Sequence, residues 1–205
     1  WTDRPALVHQ PADVLKDEFN GEATASKLAR VREQMEKEEA QYHIISTLDD
    51  IAWILNVRGN DIPHVPVVLS FLVIGKEDAM WFVEENALSD AVKEMAAECG
   101  ITIRPYEDVY AYAATIPEHS TVLLDKRKVN YRITNALSET VHIVSKANPS
   151  QLMKAIKNEI ELENTRKAHL LDGIAVTKFM YWLKKNVGKI PMDEVSVSDY
   201  LQSLR

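Results

Sequence analysis

The sequence has few of the residues that identify a chemistry by themselves. It contains one cysteine, Cys99, which cannot form an internal disulfide and which suits a reducing compartment. Its six glycines form neither a phosphate-binding loop nor the Gly-x-Ser-x-Gly turn of many hydrolases. No run of residues is long and apolar enough to cross a bilayer. These absences argue against a disulfide scaffold, a P-loop nucleotidase and a membrane span. Cys99 itself, just before Gly100, is predicted to be a small buried apolar residue.

Basic residues are fewer than acidic residues. The chain has 24 Lys and Arg residues against 31 Asp and Glu residues, which gives a net charge of -7. Its densest basic segment, Lys126–Lys128, is predicted to be a solvated turn. A phosphate-binding surface is therefore not favoured, and neither nucleic acid nor a membrane is predicted as a partner.

Histidine occurs six times without a metal-binding arrangement. No histidine pairs with another histidine or with the cysteine at a ligand spacing, and the His-Glu-x-x-His pattern is absent. His43 and His142 lie within apolar strand patterns and are predicted to be ordinary sheet residues. Spacing therefore predicts no catalytic residue and no metal ligand in this chain.

The sequence does contain an alternation of helical and extended patterns. A nearly continuous apolar run at 67–74 is typical of a central strand covered on both faces, and Gly75–Asp78 predicts a tight turn into a strand at 79–83. The other predicted strands are 42–46, 101–104, 121–125 and 140–145, and the predicted helices are 24–40, 47–55, 89–99, 107–114 and 131–138. Thr47 is the predicted cap of the second helix. This order predicts an α/β fold, a mixed sheet with flanking helices.

The pattern changes in kind after residue 147. We therefore predict three parts: a linker from an upstream domain (1–22), the α/β domain (23–147) and a purely helical portion (148–205). The helical portion comprises a long stretch at 150–186 and a further helix that Ser196 caps.

One polar loop lies between a buried helix and the apolar run. It spans 56–66 and concentrates Arg58, Asp61 and His64 together with two prolines and a glycine. A loop that proline stiffens and that rigid elements hold is where function tends to lie. These three residues are the candidates for controlling substrate access or for forming a domain interface. The alternative is a loop held by pairing of Arg58 with Asp61, without any ligand.

Several stretches, in order along the whole chain, carry a resemblance to one family. The longest and most specific is Leu48–Pro66. The others are Trp1–Pro5, Gly21–Glu22, Ser26–Glu33, Lys146–Pro149, Lys157–His169 and Asp172–Ala175, with Phe179 and Trp182. Together they resemble the large three-domain form of the Xaa-Pro aminopeptidases, also called aminopeptidases P, and Leu48–Pro66 closely resembles the most recognisable part of their second domain. The chain is thus similar to the middle domain of that family followed by the start of its catalytic domain.

The resemblance implies a creatinase/prolidase N-terminal-domain-like α/β fold, followed by the first helices of a truncated pita-bread domain. It implies a cytoplasmic, homodimeric parent enzyme that removes the N-terminal residue before a penultimate proline from short peptides. It also implies two metal ions, usually Mn²⁺, held by two Asp, one His and two Glu that follow Arg205. No cofactor is expected in residues 1–205, which are predicted to be inactive alone and to shape substrate access.

Two other functions stay open from the sequence. The parent could be a prolidase-type dipeptidase on the same scaffold, although two-domain prolidases lack this middle domain. It could instead be a non-enzymatic pita-bread homologue that binds proteins, since the metal ligands lie outside this chain. The apolar faces of 150–205 are expected to pack on a sheet that follows in the parent, or else to dock elsewhere, swap between chains or stay mobile.

Overall fold

The computed structural model describes residues 2–5, 7 and 9–205, so that Trp1 lies outside the described residues. The chain forms two compact units, Trp1–Ile156 and Lys157–Arg205, here called unit 1 and unit 2. The strands of unit 1 are β1 (Asp13–Val14), β2 (Tyr42–Ile45), β3 (Val57–Arg58), β4 (Ser70–Gly75), β5 (Ala79–Val83), β6 (Ile101–Arg104), β7 (Thr121–Leu124) and β8 (His142–Ser145). Its helices are α1 (Asp17–Asn20), α2 (Thr24–Lys37), α3 (Leu48–Ile54), α4 (Asp90–Glu98), α5 (Val109–Ala113), α6 (Tyr131–Ala136) and α7 (Pro149–Ala155). Unit 2 contains α8 (Glu159–Asn186) and α9 (Glu194–Ser203).

Six strands form a mixed sheet in the order β6-β5-β4-β2-β7-β8. Strand β4 runs antiparallel to both of its neighbours, whereas β6 runs parallel to β5, β7 to β2 and β8 to β7. The hairpin between β4 and β5 is closed by the Gly75 N–H, which donates to the Asp78 carbonyl at 3.0 Å. The predicted hairpin and the predicted mixed α/β sheet are both confirmed.

The central strand β4 is buried because helices cover both faces of the sheet. Leu72 and Ile74 belong to a core that includes residues of α2, α3 and α4. Phe71 and Val73 belong to a second core, with residues of α5 and α6. Successive side chains of a strand point to opposite faces, so a strand between two cores is apolar at every position. Strand β4 begins at Ser70, since residues 67–69 still belong to the preceding loop.

Helix α2 ends earlier than the predicted span of 24–40. The Ala40 N–H donates to the Met35 carbonyl at 2.8 Å, and the Glu39 N–H donates to the Glu36 carbonyl at 3.0 Å. This pair of hydrogen bonds is a Schellman cap. Glu39 lies at φ 53, in the left-handed region that favours glycine. The sequence has no glycine there to mark the end of the helix, which explains the error in the predicted boundary.

Residues 9–22 are folded into unit 1. Strand β1 pairs antiparallel with β3, with Asp13 opposite Arg58, and the Leu15 N–H donates to the Asn56 carbonyl at 2.6 Å. A two-residue strand has no periodicity that a sequence pattern can reveal, so this pairing could not be predicted. Whether the segment also links to an upstream domain stays a prediction.

The helical portion begins differently from the prediction. The single stretch predicted at 150–186 is two helices, α7 and α8, and Asn158 caps the second. Its side-chain oxygen accepts from the Glu161 N–H at 2.9 Å, and the Glu161 carboxylate accepts from the Asn158 N–H at 2.9 Å, forming a capping box. Helix α9 is capped by Asp193, whose carboxylate accepts from the Ser196 N–H at 2.8 Å. The cap predicted at Ser196 is therefore wrong by about one turn.

The boundary between the two compact units along the chain follows Ile156, beyond the predicted domain limit at 147–148. Helix α7 belongs to unit 1, and its Met153 packs against the core there. The limits 23–147 and 148–205 stay predictions for the domains of a longer polypeptide. Along the described part of the chain, no helix combines the length and the apolar character that a membrane crossing requires.

Candidate functional site

The polar loop at 56–66 begins at a buried anchor. Asn56 is buried and lies at φ 52, two residues after the end of α3. Its side-chain oxygen accepts from the Lys27 ammonium at 2.6 Å, and its amide NH₂ donates to the Glu22 carbonyl at 2.8 Å. Asparagine adopts left-handed geometry more readily than most other residues apart from glycine. These hydrogen bonds hold Asn56 in that geometry and fix the turn after α3.

Lys27 was not predicted to take part in this anchor. It is only 1% exposed, and its ammonium also donates to the Trp53 carbonyl at 3.0 Å and lies 4.4 Å from the centre of the Trp53 ring. The π face of an indole attracts a cation and compensates part of the cost of burying one. A signal was available, because Lys27 lies four residues before the buried Val31, on the apolar face of α2.

Arg58 lies on β3 and directs its guanidinium back toward α3. Its Nη1 donates to the Ala52 carbonyl at 2.6 Å and to the Val57 carbonyl at 3.0 Å. A cation near the last carbonyls of a helix is favourable, because those groups carry partial negative charge. The structure thus places the half-buried Arg58 at the base of the loop. Its role in substrate access stays a prediction.

Asp61 is the most enclosed of the three predicted residues. Its side chain is 0% exposed, and its two carboxylate oxygens accept from the Gln10 N–H at 2.7 Å and the Leu69 N–H at 2.8 Å. The Nδ1 atom of His9 lies 3.7 Å from the oxygen that Leu69 contacts. Backbone N–H donors suit an ionised carboxylate. These backbone groups therefore hold the loop at Asp61, and the pairing with Arg58 considered from the sequence stays a prediction.

Gly59 allows the two sides of the loop to approach closely. A Cβ atom at this position would lie 2.8 Å from Val68 Cγ2 and 3.3 Å from the Val67 carbonyl oxygen. Two residues on, the Asp61 N–H donates to the same Val67 carbonyl at 3.3 Å. The base of the loop is thus a packed stem that requires glycine at position 59.

The tip of the loop is a tight turn that carries His64. The Val65 N–H donates to the Ile62 carbonyl at 3.1 Å, with Pro63 in the second position of the turn. His64 occupies the third position at φ 65, where a type II turn requires positive φ and usually has glycine. His64 is exposed, and Ile62 and Val65 are 36% and 43% exposed. The tip therefore presents an imidazole beside two apolar side chains, away from Arg58 and Asp61 in the stem.

A second polar cluster lies where β2 leads into α3. Lys154 of α7 donates to the carboxylates of Asp49 and Asp50, and the Asn148 amide donates to Asp50 at 3.1 Å. Burial raises the pKa of the Asp49 carboxyl, but the hydrogen bond and the charge of Lys154 outweigh burial and hold this pKa below its ordinary value. The Thr47 hydroxyl donates to Asp50 and makes no cap to α3, so the predicted cap is wrong. The cluster ties α7 to α3.

Neither cluster is a metal cage. Within the part of the chain that the structure describes, no three His, Cys, Asp or Glu side chains are grouped so that they could hold a metal ion. Cys99 is half-buried rather than buried, and burial raises the pKa of its thiol. The arrangement at 56–66 offers a rigid stem, hydrogen-bonding groups and an exposed tip.

Comparison with known families agrees with this architecture. The family described as creatinase/prolidase N-terminal domain matches residues 3–161. A probable Xaa-Pro aminopeptidase P of Neurospora crassa is 35% identical over 217 residues, which cover 100% of this chain and 32% of the relative. The Xaa-Pro aminopeptidase 1 of Dictyostelium discoideum is 35% identical over 186 residues, which cover 91% of this chain and 29% of the relative. The chain thus spans about a third of the length of the curated relatives it matches.

A solved structure has the same fold along the whole chain. It is the X-prolyl aminopeptidase of Caenorhabditis elegans, described as a cytosolic enzyme with a di-nuclear active site. The match has a TM-score of 0.87 at 29% identity and covers 100% of this chain and 34% of the other. The predicted creatinase/prolidase-like fold class is confirmed.

Proposed function

The chain belongs to the creatinase/prolidase N-terminal domain family, and we propose that it is part of a metal-dependent aminopeptidase that removes the N-terminal residue preceding a penultimate proline. One observation carries this proposal: relatives named for that activity match the chain from end to end. The similarity to an X-prolyl aminopeptidase structure supports it. Because the chain spans about a third of these proteins, the proposed activity belongs to the longer polypeptide.

The proposed role of residues 1–205 is to shape access to the active site. A peptide bond to proline has no N–H, and the fixed φ of proline bends the substrate, so the site must accept a kinked chain. A domain that walls such a site limits entry to short peptides with a penultimate proline. The loop 56–66 is the proposed wall segment, because Asn56 and Asp61 fix its stem while His64 is exposed at its tip.

The proposed enzyme uses two metal ions, with Mn²⁺ as the proposed metal, bound outside this chain. The described residues contain no group of side chains suited to hold them, and the di-nuclear site is known for the Caenorhabditis elegans neighbour. We expect the 205-residue chain to cleave no Xaa-Pro peptide when Mn²⁺ is added. Cleavage by the pure chain that a chelator abolishes would contradict this expectation.

The role of the loop is tested by His64→Ala in the complete enzyme, with His119→Ala as the matched control. Both histidines are exposed and lie at positive φ, 65 and 62, so each substitution makes the same demand on the backbone. His64→Ala is expected to change KM for a Xaa-Pro-Xaa tripeptide several-fold with little change in kcat, because the tip positions substrate and takes no part in bond cleavage. Steady-state kinetics on tripeptides and on longer peptides measure this.

The outcomes separate the parts of the proposal. Identical kinetics for His64→Ala and His119→Ala would contradict the role of the loop in substrate access. The proposed peptidase activity of the complete enzyme would not be affected by that result. If the complete protein shows no chelator-sensitive cleavage of a Xaa-Pro-Xaa peptide, the activity itself is refuted and a protein-binding role is favoured. Cleavage of Xaa-Pro dipeptides but not of tripeptides would favour the prolidase alternative.

We also propose that the complete enzyme is a cytoplasmic homodimer. The single cysteine suits a reducing compartment, and the Caenorhabditis elegans neighbour is described as cytosolic. Light scattering of the complete protein and fractionation of cells test these two statements separately.

A further inference from the structure

The buried carboxylate of Asp61 joins two segments that lie far apart in the sequence. Gln10, whose N–H it accepts, lies 51 positions earlier, and Leu69, whose N–H it also accepts, lies 8 positions later. One side chain therefore closes the stem of the loop 56–66. It also fastens residues 9–15, here called the N-terminal segment, onto that stem. A carboxylate with both oxygens used in this way, and with no exposed surface, is not available to a substrate.

We propose that Asp61 is a positioning residue that couples residues 9–15 to the loop 56–66 and to residues 67–69 that follow it, so that neither part moves without the other. The consequence for substrate access rests on the proposed function of the loop, whereas the coupling is a property of the chain itself. Under this proposal, a displacement of the chain that precedes residue 9 changes the position of the tip that carries His64.

The N-terminal segment is fastened at both of its ends, which makes the coupling stiff. Near its start, the Gln10 N–H donates to Asp61. At its end, the Leu15 N–H donates to the Asn56 carbonyl at 2.6 Å, and Asn56 is itself held by the buried Lys27. Between these points β1 pairs with β3. The segment thus contacts the loop stem at Gln10, along β1 and at Leu15.

Removal of the carboxylate has a larger effect here than at a surface ion pair. A surface pair is screened by water and contributes little to stability. The carboxylate of Asp61 is enclosed. Asparagine at this position keeps one acceptor oxygen and sets its NH₂ group against the other backbone N–H, which loses its acceptor and carries the cost of desolvation. Both segments are therefore expected to loosen together when this one side chain changes.

The experiment is hydrogen exchange with mass spectrometry on the 205-residue chain and its Asp61→Asn variant. Peptides covering 9–15 and 60–69 are expected to exchange together, about tenfold faster than in the unsubstituted chain, while peptides of β2 keep their protection. Two controls are expected to change nothing: Gln10→Ala, which keeps the backbone N–H, and Glu118→Gln, which removes the charge of an exposed carboxylate.

A second variant keeps the proposal testable if Asp61→Asn unfolds unit 1. Gln10→Pro deletes one donor N–H and leaves the carboxylate in place. The proposal then requires faster exchange at 60–69 from a change made only in the N-terminal segment. Faster exchange confined to the segment that carries the substitution, in either variant, would overturn the coupling.

Kinetics of the complete enzyme distinguish this proposal from the proposed function. Coupled exchange together with a changed tripeptide KM in Asp61→Asn supports both. Coupled exchange with unchanged kinetics overturns the role of the loop in substrate access and leaves the coupling standing. Uncoupled exchange overturns the present proposal whatever the kinetics show.

Discussion

Unit 1 and unit 2 both carry amphipathic helices, but they bury apolar side chains to very different extents. In unit 1 two clusters fill both faces of the sheet, and residues such as Ile44 and Leu72 are 0% exposed. Among the described residues of unit 2, only Ala175 is a buried hydrophobic residue. Leu170, Leu171 and Tyr181 are 67%, 69% and 62% exposed. A sheet supplies a partner for every helix that packs on it, whereas two helices leave much of their apolar faces uncovered.

The two units are also stabilised by interactions of different range. Unit 1 depends on contacts between distant parts of the sequence, such as the pairing of β2 with β7. The described contacts of α8 are mainly local, including the capping box at Asn158 and the pair Glu163–Lys167 at 2.7 Å. Stacking of Trp182 on Tyr200, with ring centroids 4.0 Å apart, joins α8 to α9. Stability is therefore expected to be unevenly distributed along the chain.

The largest expected effect comes from one substitution made in each unit. Leu72→Ala removes a fully buried side chain from β4 and is expected to lower the free energy of unfolding of unit 1 by about 3 kcal/mol. Leu171→Ala removes a side chain that is 69% exposed and is expected to change stability by about 0.5 kcal/mol or less. Urea unfolding followed by pulse-labelling hydrogen exchange reports the strands of unit 1 and helix α8 separately. Equal destabilisation by the two variants would abolish the contrast between the units.

A smaller effect is expected from a titratable group inside unit 1. His43 is 0% exposed, and its Nδ1 must carry the hydrogen, because it contacts the Leu123 carbonyl at 2.9 Å and a carbonyl only accepts. Burial lowers the pKa of His43 from 6.5 to about 4. Between these values the unfolded chain binds a proton that the folded chain does not, so stability falls as pH falls through this window. From pH 7 to pH 5 the loss is about 2 kcal/mol.

Two glutamine variants isolate that contribution. His43→Gln keeps a donor for the Leu123 carbonyl but does not titrate, so the loss of stability between pH 7 and pH 5 is expected to be smaller than in the unsubstituted chain. His142→Gln makes the same substitution at an exposed position of β8 and is the matched control. Urea unfolding of unit 1 at the two pH values measures the difference. The same pH dependence in His43→Gln as in the unsubstituted chain would contradict the assignment.

The contrast between the units also explains which parts of the fold could be predicted. Strand β4 was predictable, since burial on two faces makes every position apolar, and the turn before β5 has its own local signature at Gly75. The amphipathic pattern of α8 predicted a helix equally well, but such a pattern does not show whether the partner of its apolar face lies within the chain. Strands β1 and β3 were missed because two residues are too few to show a period.

For the candidate site, the sequence indicated which segment of the chain to consider but not the hydrogen bonds that hold it. Composition alone located the loop at 56–66. It could not show that Asp61 is enclosed or that Asn56 is an anchor, because their partners Gln10 and Lys27 lie 51 and 29 positions away. The left-handed backbone at Asn56 is held by such contacts, whereas that at His64 belongs to the local turn from Ile62 to Val65. Local pattern carries no information about hydrogen bonds that are made only after the chain has folded.

The smallest expected effect compares how the two units end their helices. Helix α2 of unit 1 ends through Glu39 at φ 53, whereas α8 of unit 2 is followed by Gly188 at φ 74. Glu39→Gly relieves left-handed strain within an intact Schellman cap and is expected to stabilise unit 1 by about 0.5 to 1 kcal/mol. Gly188→Ala introduces that strain and is expected to destabilise the end of α8 by about 1 kcal/mol, although a Cβ there meets no atom within 4 Å.

Opposite signs for the two substitutions are the diagnostic result. Hydrogen exchange of the last turn of α2 and of α8, in the two variants and the unsubstituted chain, measures each effect where it arises. If Glu39→Gly destabilises α2, the contacts of the glutamate side chain outweigh its backbone strain. The two substitutions would then have the same sign, and the contrast in backbone strain between the ends of α2 and α8 would be wrong.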